Sequence, residues 1–130
     1  MQIEVTGAPV FQFALEPENV CGGPATMRLF LERANEPTAN TADFYRWWSD
    51  VTLPLTPGGG SLTVPVTPDR WGSVFGTKGN ASPAAVAGFE ATLADLATVG
   101  MTFGGGCFAG HGVNISGGTA RFILTSFLAQ

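Results

Sequence analysis

Few side chains in this chain could do chemistry, and their spacing limits what that chemistry is. One histidine, His111, stands between Gly110 and Gly112. A nucleophile–base–acid triad would have to pass through its imidazole, with Ser116 or Cys107 as the nearby nucleophile. The G-x-S-x-G pattern that exposes a serine on a strained turn is absent. A single histidine does not build a typical zinc site, and no cluster of carboxylates resembles a calcium loop. The 10 acidic residues are scattered, mostly in turns, and no pair of them is singled out for glycoside cleavage. The glycine-rich run at 104–112 lacks the lysine and Ser/Thr of a phosphate cradle, and reads as a connection between strands. The expectation is a protein that is not an enzyme, with no metal and no cofactor.

Aromatic residues carry the stronger signal. Residues 43–50 (DFYRWWSD) bring four rings and an arginine together. On a strand, Phe44, Arg46 and Trp48 share one face while Tyr45 and Trp47 share the other. A strand carrying arginine does not easily bury both faces, so one tryptophan is expected in the core and one partly exposed. An exposed ring beside a polar side chain suits sugar binding: pyranose C–H faces stack on aromatic faces, and hydroxyls take bidentate partners. Tyr45, Arg46 and Trp47 are the candidate ligand-binding residues. In the competing reading both rings fill the core and Arg46 snorkels to an edge. Trp71, between Arg70 and Gly72, reads as core.

The elements that would position these residues are short strands. Alternation at Phe11, Phe13 and Leu15 marks one strand, and Met27, Leu29 and Leu31 mark another over 25–33. Residues 35–41 form an exposed loop, and 44–49 is an aromatic strand. Residues 51–66 read as a hairpin around the glycines at 58–60, with Pro54 and Pro65 forcing an edge or a bulge. One helix is expected over 83–98. Ser82 caps it, Pro83 takes the first turn, and Val86, Phe89, Leu93 and Leu96 form its apolar stripe. Strands at 99–103 and 119–128 close the chain, the last apolar on both faces and so interior. Seven or eight strands and one helix predict a single all-β domain over 1–130, an antiparallel two-sheet jelly-roll-like sandwich with one short surface helix.

Composition bounds the partners. The chain has 130 residues, 45% hydrophobic and 12% charged, enough apolar surface to bury a core. With 18 glycines and 9 prolines an all-helical bundle is excluded. The net charge of −4 argues against nucleic acid and anionic membranes, and no apolar run is long enough to span a bilayer. The first residues, MQIEVT, do not read as a secretory signal. Cys21 and Cys107, 86 positions apart, fit no zinc or redox spacing. Free thiols are expected narrowly over a disulfide, which an extracellular setting would favour.

Ser61-Leu62-Thr63-Val64-Pro65-Val66 followed by Trp71-Gly72-Ser73-Val74-Phe75-Gly76 is similar to the strand, proline, tryptophan, glycine segment of galactose-binding-domain-like jelly rolls. The helical stretch at 84–96, the strand at 99–103 and the closing residues 117–127 follow in that family's order, so the resemblance covers about residues 61–128. Where family members read Asp-Asn-Val in the last strand, this chain has Leu124-Thr125-Ser126-Phe127. The resemblance implies a two-sheet sandwich with loops gathered at its ends, and non-catalytic carbohydrate binding in many members. Two functional classes follow. One is an extracellular module that binds a glycan or polysaccharide, alone or fused to a catalytic domain. The other is a self-associating structural component of a virion or surface lattice.

Overall fold

The computed structural model describes residues 1–13, 24–37, 43–105 and 110–128. Seven strands and one α-helix occur among them: β1 (Gln2–Phe13), β2 (Ala25–Arg33), β3 (Arg46–Ser49), β4 (Leu53–Pro54), β5 (Trp71–Ser73), α1 (Pro83–Ala94), β6 (Leu96–Gly105) and β7 (Val113–Ile123). Strands pair in two antiparallel sheets, one β1–β7 and one ordered β4-β2-β3-β5 with β6 also on β2. The chain is all-β with one short helix, consistent with an all-β sandwich. The described residues fall into two compact units. One draws on Met1–Met27, Leu53–Leu62 and Thr102–Gln130, the other on Arg28–Thr52 and Thr63–Met101.

In the first unit, β1 alternates Ile3 and Val5 inward against exposed Gln2, Glu4 and Thr6, and pairs with β7 from Gln2↔Ile123 to Phe13↔Val113. The register shifts between Gly7 and Val10, where Gly7 and Gly117 both take positive φ. A Cβ on Gly7 would lie 2.9 Å from the Gly117 carbonyl oxygen, so the two backbones approach only because both residues are glycine. Phe122 of β7 packs on Phe11 and Phe103, with ring centroids 6.1 and 4.8 Å away. The expected closing strand therefore begins earlier and ends at Ile123. The glycines at 117 and 118 lie inside it, and β7 pairs only with β1 among the described residues, so it is not interior.

The hairpin expected over 51–66 does not form. Pro54, Pro57 and Pro65 have no N–H to give a ladder, and only Leu53 and Pro54 are strand, paired with Met27 and Thr26 of β2. The glycine turn bonds elsewhere: Gly58 and Gly60 donate to the carbonyls of Ile3 and Met1 at 2.9 and 3.0 Å. Cys21 and Cys107 lie outside the described residues.

The second unit is built around a helix on a sheet. Ser82 accepts from the Ala85 N–H at 3.1 Å and Pro83 begins α1, as the sequence predicts. The helix ends at Ala94 rather than at 98. Asp95 leaves helical geometry, and Leu96 to Gly100, with β-branched Thr98 and Val99, enter β6. Ala85, Phe89 and Thr92 are its buried residues, whereas Leu93 and Leu96 are exposed. Apolar residues surround this helix, so spacing alone did not select the buried face. Phe89 packs edge-on against Trp47 at 5.3 Å and tilted against Trp71 at 6.3 Å, and these rings with Leu31 form the core cluster. Trp71 is core, as expected. The aromatic strand is shorter than predicted because Phe44 sits at φ +66°, where no strand continues.

Candidate ligand-binding surface

The second unit's sheet has two faces of opposite character. Leu31, Trp47, Ser49, Trp71 and Ser73 point toward the buried side. Phe30 and Glu32 of β2, Arg46 and Trp48 of β3, and Gly72 of β5 occupy the other, all half-buried. Register fixes their neighbours: Glu32 lies opposite Arg46, Phe30 opposite Trp48, and Trp48 opposite Gly72. Gly72 in turn bridges Lys78, flanked by the bonds from Ser73 N to Thr77 O and from Gly79 N to Trp71 O. One row thus crosses the face: Phe30, Trp48, Gly72, Lys78.

Trp47 is not on this surface. It is fully buried, its indole N–H donates to Thr92 Oγ1 at 3.0 Å, and its ring stacks on Phe44 at 5.6 Å. No ligand stacks on that ring without opening the core, so its assignment to a binding surface is corrected. Tyr45 is half-buried, and its ring lies 5.0 Å beneath the Arg33 guanidinium, which faces Asp95 at 3.8 Å. Arg46 lies on the half-buried face. Its Nε donates to Glu36 Oε1 at 2.8 Å, and its guanidinium stands 6.0 Å over the Trp48 ring. The structure therefore separates the three predicted residues and brings Arg46 together with Trp48. Strict alternation from Arg46 already pointed to Trp48, the ring on arginine's own face.

The cations of this face are held: Arg46 by Glu36, and Lys78 by Asp50 at 2.8 Å. The Trp48 Nε1 is buried with no hydrogen-bond partner among the described residues, so its N–H is closed to a ligand. Arg28 Nη1 donates to the Ser49 carbonyl at 3.4 Å. Burial pushes its pKa below the ordinary arginine value, with Asp50 opposing the shift.

Among the described residues no group of three or more His, Cys, Asp and Glu is placed to hold a metal ion. His111 is exposed in the bend before β7. No helix is long and apolar enough to cross a membrane. The chain matches no family model, curated protein or solved structure.

Proposed function

We propose that this chain is a non-catalytic module that binds a glycan or polysaccharide through the outer face of β2, β3 and β5, with Arg46 and Trp48 as its centre. The observation that carries this reading is the Arg46 guanidinium over the half-buried Trp48 ring, oriented by Glu36 at 2.8 Å. A planar donor fork and an indole on one rigid sheet offer a sugar both stacking and bidentate hydrogen bonds. The sequence resemblance of residues 61–128 to galactose-binding-domain-like jelly rolls supports it by analogy, with an extracellular setting, although 61–66 forms no strand here. A glycan array with wild type and Trp48→Ala tests it. Binding by the wild type that the variant loses supports the reading, and equal binding by both removes Trp48 from the site.

A self-assembling structural component is the second reading, favoured by exposed apolar side chains. Phe75 is 61% exposed and Leu128 81%. Interface cores are apolar and poor in charge. Size-exclusion chromatography separates the two: a monomer supports the module, and a large closed species the assembly.

A further inference from the structure

Two glycines flank the aromatic pair on this face, and they differ. A Cβ on Gly100 of β6 would lie 2.5 Å from Phe30 Cε1, so the Phe30 ring occupies the space above that glycine. A Cβ on Gly72 would meet nothing within 4 Å. Trp48, directly opposite Gly72, therefore leaves the space above it open, although aromatic rings often cover a cross-strand glycine. Lys78 bounds that space on the far side, held by Asp50.

We propose that the open space over Gly72, between Trp48 and Lys78, is the subsite that receives one sugar ring, and that the sugar is uncharged. This rests on the glycan-binding reading above. The absence of a side chain at Gly72 lets a ring approach the sheet backbone beside the Trp48 indole. The charge balance selects the sugar. Arg46 and Lys78 are each in an ion pair, with Glu36 and Asp50, and Glu32 lies opposite Arg46, in a chain of net charge −4. A uronate or sulfated sugar would bring its charge against Glu32, Glu36 and Asp50, which stand beside these cations, whereas hydroxyls bond to the paired groups without that repulsion.

Affinity electrophoresis tests this, with neutral glucan, galactan, mannan and xylan gels, a polygalacturonate gel, and wild type beside Gly72→Val. Gly72→Ala serves as a milder filling of the same space, and circular dichroism verifies the fold of each variant. The expected result is retardation by a neutral polysaccharide that persists at about 0.5 M NaCl, where exposed charges are screened. Gly72→Val should weaken it by roughly tenfold or more, as for a blocked central pocket, with Gly72→Ala intermediate. Retardation by a neutral gel that both folded Gly72 variants retain overturns the subsite and leaves the glycan reading standing. Retardation by polygalacturonate alone, lost in salt, overturns the uncharged class and again leaves that reading. No retardation by any gel overturns both.

Discussion

The Trp47 indole N–H and the Thr92 hydroxyl meet at 3.0 Å, joining strand β3 to helix α1 inside the core. Thr92 Oγ1 also lies 2.9 Å from the Phe44 carbonyl and 3.0 Å from that of Gly88, so one hydroxyl serves the strand, the turn before it and the helix. Thr92→Val keeps the shape and removes the acceptor. Urea denaturation should show a loss of about 1–3 kcal/mol, the cost of leaving a buried donor poorly satisfied. A loss near zero would mean that the weaker bond to the Phe44 carbonyl, 3.3 Å, suffices for Trp47.

Phe89 holds the two buried tryptophans from the helix side. Phe89→Ala should lower stability by about 3–5 kcal/mol, with a red shift of tryptophan emission as water reaches Trp47 and Trp71. Emission unchanged from wild type would contradict the packing described.

Alanine at two glycines should act with opposite sign. Gly88 lies in the helix interior, where alanine ordinarily adds about 1 kcal/mol. Here its Cβ would lie 2.5 Å from the Phe44 Cβ, itself on a residue at φ +66°, so Gly88→Ala should cost about 1–3 kcal/mol by overpacking. Gly72→Ala meets no atom on a strand, and should raise stability by about 0.5–1 kcal/mol. Thermal melts of the two variants decide both signs.

Asp69 is exposed in the 3-10 turn Pro68–Arg70, and its carboxyl titrates below the ordinary 3.8, chiefly through a hydrogen bond from the Thr67 side chain. A lowered folded pKa favours the native state above the ordinary value, and that contribution vanishes as pH falls through the lowered one. Thr67→Val should raise the Asp69 midpoint in a carboxyl-carbon NMR titration. An unmoved midpoint would assign the shift to the backbone and to Arg70 and Lys78.

Where a signal was local, the sequence was readable. Ser82 and Pro83 place the start of α1, and the alternation of Met27, Leu29 and Leu31 places β2 with its observed ends. The helix expected to run to 98 stops at Ala94, because Asp95 breaks it and β6 takes the β-branched residues that follow. The glycines at 58–60 do turn the chain, Gly59 bonding back to Thr56, yet Gly58 and Gly60 bond to Ile3 and Met1, more than fifty residues away, and not across a hairpin. Alternation grouped Arg46 with Trp48 and Tyr45 with Trp47, but it does not say which group faces inward. Phe89 and Thr92, over forty residues further on, decide that by packing on Trp47. A site drawn from consecutive residues 45–47 therefore mixed the two faces of one strand.

Tryptophan fluorescence reads the Arg46–Trp48 face itself, because the other two indoles are shut in the core. Trp47 and Trp71 are buried at 0% and 1% exposure, while Trp48 is half-buried on the proposed binding face. Titrating the polysaccharide that retards the protein should change emission through Trp48, with a saturating blue shift in wild type and none in Trp48→Phe. Binding that leaves wild-type emission unchanged, or a shift that survives in Trp48→Phe, would contradict a site centred on Arg46 and Trp48.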